Sequence, residues 1–100
     1  VITDQQIEAA VQQAYGHYRA EAVKRGRDPR FPYVPIYRFS DGAGNSQTTQ
    51  IRNRAYSTRG EAIQCAADFI ARLKQHMRDQ LCKPGCRALR EQYGLPREIA

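Results

Sequence analysis

From Thr58 onward the chain repeats apolar residues at helical spacing for about six turns, and the rest of a 100-residue sequence must pack around whatever that segment forms. Thr58-Arg59-Gly60-Glu61 is a capping box: the threonine hydroxyl can accept a first-turn amide, and the glutamate can reach back to the cap. Ile63, Ala66, Ala67, Ile70, Leu73, Met77 and Leu81 then recur on one stripe, flanked by Ala62, Cys65, Phe69 and Arg72. Lys74 and Arg78 sit toward the carboxyl end, where the helix dipole favours cations, and Lys83-Pro84-Gly85 stops the helix.

The remaining elements follow from local signals. Thr3 with Gln6 is a second capping box, and Ile7, Val11, Ala14, Tyr15, Tyr18 and Ala22 share a stripe, which predicts a first helix ending near Lys24. Gly26, Asp28, Pro29 and Pro32 make Arg25 to Pro32 a connecting loop that carries Arg25, Arg27 and Arg30. Tyr33 to Ser40 and Ser46 to Tyr56 read as the two strands of a hairpin around the Gly-rich turn Asp41 to Asn45. Pro35 cannot donate to a ladder, which puts its strand at a sheet edge or at a bulge. Cys86 to Tyr93 predicts two further helical turns, closed by Gly94 and Pro96. No internal repeat or second domain is visible, so the expectation is a single domain over residues 1–100. Its fold class is α+β: an N-terminal helix, a short antiparallel sheet, and a long helix with a short tail helix. Both longer helices are expected to cover the inner face of the sheet.

Charge narrows the partner. Sixteen basic against ten acidic residues give +6, and the second half of the chain holds +5 of it. Such a surplus attracts polyanions, nucleic acid above all. Arginine supplies most of it, and the guanidinium fork suits phosphate and guanine edges, but equally the carboxylates of a protein partner. No apolar run approaches the roughly 20 residues that a bilayer crossing needs, and the first residues lack the pattern of a signal peptide, so a cytoplasmic protein with no membrane partner is expected.

Site chemistry is sparse. His76, Cys82 and Cys86 fall within eleven residues, with Cys65 and His17 as further donors, but no Cys-x-x-Cys or histidine pair sets a zinc spacing, so neither metal nor cofactor is expected. Nothing fixes a nucleophile beside a base and an orienting group, and the Gly42-Ala43-Gly44 segment lacks the lysine of a phosphate loop. An enzyme acting on a small-molecule substrate is therefore not expected. The informative feature is the second strand, in which Gln50, Arg52, Arg54 and Tyr56 alternate onto one face. Arg38 joins them from the neighbouring strand, and such a two-stranded ribbon fits the major groove. Arg38, Gln50, Arg52 and Arg54 are the candidate nucleic-acid-binding residues; the bland alternative is a solvated outer sheet face.

Tyr37-Arg38-Phe39-Ser40-Asp41-Gly42-Ala43-Gly44-Asn45, then Gln47 to Arg54, then Ala55-Tyr56-Ser57-Thr58-Arg59-Gly60-Glu61-Ala62 resembles the amino-terminal arm-type DNA-binding domain of phage tyrosine recombinases. The resemblance covers residues 33–75 and implies a small sheet packed on one helix, with DNA as the partner. The second strand is richer in Gln and Thr than is usual there, and the first helix has no counterpart. The expected function is a small basic DNA-binding accessory protein of phage or mobile-element type. The rival is an adaptor or inhibitor whose basic surface engages an acidic protein.

Overall fold

The first helix starts where its capping box sets it. In the computed structural model, which describes residues 2–40 and 44–96, the Thr3 hydroxyl accepts the Gln6 amide at 3.2 Å and the Gln6 side chain accepts the Thr3 amide at 2.9 Å. Helix α1 spans Asp4–Tyr15 and does not continue to Lys24. It ends at Gly16, whose amide closes onto the Gln12 carbonyl at 2.8 Å, and Tyr18–Lys24 is instead a strand, β1. Tyr18, Ala20 and Ala22 satisfy a two-residue repeat as well as the helical one. Pairing the whole of β1 with the next strand is the tertiary gain that decides between them.

Strands β2 (Tyr33–Ser40) and β3 (Ser46–Gln50) complete an antiparallel sheet in the order β1-β2-β3. Pro35 therefore lies in the central strand, not at an edge. A strand residue points its N and its C=O to the same side, and the Pro35 carbonyl accepts the Ile51 amide at 3.0 Å. The missing N–H thus faces β3 just beyond that strand's last pair, Ile36 with Gln50, and leaves the β1 ladder intact. The same geometry explains why β3 stops at Gln50 instead of reaching Tyr56. Proline returns no donor to Ile51, and the chain turns through Asn53, which takes φ 63° in the left-handed region that asparagine tolerates. Tyr56 then rejoins β2 by a pair of bonds with Tyr33, at 2.8 and 3.1 Å. Residues Asp41, Gly42 and Ala43 of the expected turn lie outside the described residues.

Helix α2 spans Arg59–Leu81, with the Glu61 amide donating to the Thr58 hydroxyl at 3.3 Å. It contributes to two compact units, one of residues His17–Ala71 and one of Val1–Gly16 with Arg72–Ala100. In the first unit Ala62, Ala66 and Ile70, on successive turns, are buried together with Ala22, Val34 and Ile36 of the sheet. Phe69 stacks on Tyr37 at 5.4 Å, and Arg59 lies over the Tyr33 ring at 5.4 Å while donating to the Ala22 carbonyl. In the second unit Ile7, Ala10 and Val11 of α1 form a core with Met77 and Leu81, joined by Leu89 and Tyr93. The stripe of α1 is thus taken up within its own unit by the second half of α2, where its few apolar residues meet Met77 and Leu81. The short helix α3, Arg87–Gln92, carries the buried Arg90.

Candidate nucleic-acid interface

Because β1 and β3 are each antiparallel to β2, they run in the same direction, and their carboxyl ends lie at one end of the sheet. The chain leaves β1 through Arg25-Gly26-Arg27 and leaves β3 through Arg52-Asn53-Arg54. Two arginine-bearing turns some 25 residues apart in sequence are brought together in this way. They border an open concavity of about 460 Å³, completed by Gln50 and Ala55, with the buried Val34 of the central strand behind it. Among the described residues, no acidic side chain contributes to the lining. Arg30 pairs with Asp28, Arg38 with Glu21 and Arg78 with Glu8, and among the described residues none of the four arginines at the concavity has a carboxylate partner.

The candidate residues separate into two groups. Gln50, Arg52 and Arg54 all border the concavity, but Arg52 and Arg54 do so from a turn, not from alternate positions on a strand. Their shared location is set by the bend at Asn53 and not by the two-residue period of a sheet. Arg38 lies elsewhere. Its Nη2 is 3.2 Å from Glu21 Oε2 across the β1–β2 ladder, and its Nε donates to Thr48 Oγ1 at 3.4 Å. Its charge is engaged within the sheet, and the sheet has three strands where the ribbon reading had two. Arg25 and Arg27 are the residues that the strand-face reading missed. Their sequence signal is the basic loop itself, but nothing local links that loop to Arg52.

The loop that carries Arg25 and Arg27 is closed by its own hydrogen bonds. The Gly26 amide donates to the Pro32 carbonyl at 2.9 Å and the Phe31 amide to the Asp28 carbonyl at 2.9 Å. Asp28 accepts both the Arg30 amide and the Arg30 guanidinium, which hold its carboxyl below the usual carboxylate range. A glycine is required at position 26, because a Cβ there would run into the Phe31 carbonyl.

Beyond the concavity's rim, Tyr56 is half-buried, not solvent-facing. Hydrogen bonding with the Cys65 thiol, then burial, raises its phenol above the ordinary value, and the positive charge of Arg54 pulls the other way. The arrangement offers guanidinium donors, amide groups and an apolar floor, which together can hold anionic oxygens. Among the described residues no three His, Cys, Asp or Glu side chains gather, and His76, Cys82 and Cys86 do not form such a group. No described helix is long and apolar enough to cross a membrane. No family model, curated protein or solved structure matches the chain.

Proposed function

We propose that this chain is a small DNA-binding accessory protein that holds backbone phosphates in the concavity at the end of its sheet. One observation carries the reading: Arg25, Arg27, Arg52 and Arg54 surround one open site whose lining, among the described residues, includes no carboxylate. Four like charges drawn together without counter-charges create a local positive potential, and a phosphodiester chain supplies repeated anionic oxygens to meet it. Gln50 and Asn53 add neutral donors and acceptors at the same site. The resemblance of residues 33–75 to an arm-type DNA-binding domain supports the same reading. Contact here is of the positioning kind, directed to phosphate and not to base edges.

Salt dependence tests it. Each neutralised phosphate releases counterions, so four arginine contacts predict a slope of about 3 to 4 in log K against log salt. Replacing both Arg52 and Arg54 with Gln removes two contacts and should flatten the slope by about two units. Lys83→Gln, on an exposed turn outside the concavity, serves as the control. Labelled DNA of either strandedness left unbound at low salt, or bound unchanged by the double variant, overturns the reading. A steeply salt-dependent complex with an acidic protein in place of DNA would establish the adaptor role instead.

A further inference from the structure

Phe31 is the feature that phosphate binding leaves unexplained. Phe39 is half-buried beside Tyr18 at 5.2 Å and Phe69 is stacked on Tyr37, whereas Phe31 is 43% exposed. It is not left in solvent by a loose loop. Its amide is bound to the Asp28 carbonyl, its neighbour Pro32 accepts the Gly26 amide, and the Arg30 guanidinium lies 5.8 Å from its ring centre. Asp28 holds that guanidinium by Nε at 3.3 Å and Nη2 at 3.0 Å. Proline on both sides of the Arg30-Phe31 pair, at 29 and 32, further restricts the backbone. An apolar ring kept exposed by this many local bonds is organised in advance for a partner, so little ordering entropy remains to oppose contact.

Its place relative to the concavity follows from Gly26. That residue borders the concavity between Arg25 and Arg27, and its Cα sits against the Phe31 carbonyl. The Phe31 main chain thus adjoins the arginine-bearing rim, and its ring, which is not part of the concavity's own lining, belongs to the same loop. Phosphate-binding guanidiniums beside an exposed aromatic face are the two components of a single-strand site: the cations follow the backbone while a base stacks on the ring. A base-paired duplex keeps its bases stacked on one another and offers no free face to Phe31. Resting on the phosphate-binding reading above, we propose that the preferred ligand is single-stranded nucleic acid, with one unpaired base stacked on Phe31.

The probes are a fluorescein-labelled short oligothymidylate, the same length of duplex DNA, and heparin as a polyanion without bases, each followed by anisotropy or competition at low salt. Phe31→Ala should weaken oligothymidylate binding by about tenfold with its salt slope unchanged, because a stacking contact releases no counterions. Duplex and heparin affinities should stay as they are, and Phe31→Trp should restore oligothymidylate binding. Circular dichroism of both variants should match the parent, since the ring lies outside the core. Binding of all three probes with Phe31→Ala silent overturns the stacking inference and leaves phosphate binding standing. Binding of none of them overturns both.

Discussion

Arg90 permits a stability prediction worked from its contacts. The residue is 1% exposed, and its guanidinium donates from Nη1 to the Leu81 and Lys83 carbonyls, at 3.3 and 2.5 Å, and from Nη2 to the Pro84 carbonyl at 3.2 Å. Leu81 is the last residue of α2, and Lys83 and Pro84 lie in the turn that follows it, so Arg90 ties the end of the helix to that turn where the helix dipole also favours a cation. Arg90→Met retains most of the aliphatic stem and removes all three donors. The Leu81 acceptor is buried, so its loss costs about 1–3 kcal/mol; the other two are partly exposed, where water replaces part of the bond, at about 0.5–1.5 kcal/mol each. The sum is roughly 2–6 kcal/mol, enough to lower the melting temperature by about 10 °C or more. Arg90→Lys should recover only a minor part, because a single ammonium cannot span three carbonyls as the planar fork does. Urea unfolding followed by far-ultraviolet circular dichroism measures the difference. A methionine variant within about 1 kcal/mol of the parent would refute the assignment of Arg90 as the cap of α2.

Ile70→Asp should unfold the sheet-bearing unit, since Ile70 is packed with Ala62 and Ala66 and a carboxylate there has no partner; a melt within a few degrees of the parent would contradict that packing. Glu8 is held below its ordinary value of 4.5 first by its hydrogen bond with Arg78, with burial opposing. A folded value below the unfolded one means stability that is present at neutral pH and lost as pH falls through the folded value, so Glu8→Gln should lower the neutral plateau slightly, as an exposed pair allows, and flatten the acid limb below about pH 4.5 by the same small amount, the two proteins converging at low pH. Arg52→Gln should leave the free protein as stable as the parent or slightly more so at low salt, with any difference vanishing at high salt, because it relieves repulsion among cations that have no carboxylate beside them.

The elements that the sequence announces are those governed by residues within one turn of each other. Thr3 with Gln6 and Thr58 with Glu61 mark the starts of α1 and α2 because a cap is satisfied by neighbours three positions away. Pro84 and Gly85 mark the end of α2 for an equally local reason, and Tyr33–Ser40 is legible as a strand from its aromatic and β-branched content. Tyr18 to Lys24 is not legible in the same way. Alanine favours a helix, the apolar spacing permits one, and only the seven pairs made with β2 convert the segment to a strand. Pro35 misleads by the same logic. Whether a missing donor is harmful depends on which neighbour it faces, and that is fixed by a register no single strand contains.

The candidate site depends on topology still more strongly. A strand-face reading of Arg52 and Arg54 finds two of the right residues by the wrong geometry, since what joins them is the Asn53 turn that follows from β3 ending opposite Pro35. Arg38, which is the right type at a plausible register, is withdrawn by Glu21, a residue the sequence places on a helix. Arg25 and Arg27 enter only because β1 is a strand at all: were Tyr18 to Lys24 helical, no sheet rule would bring the basic loop beside Arg52. The misreading of Tyr18 to Lys24 therefore governs the last two of these departures, while the first follows from the early end of β3. Converting Tyr18 to Lys24 from helix to strand supplies the acid that occupies Arg38 and sets the parallel direction of β1 and β3, which delivers two distant arginine turns to the same end of the sheet.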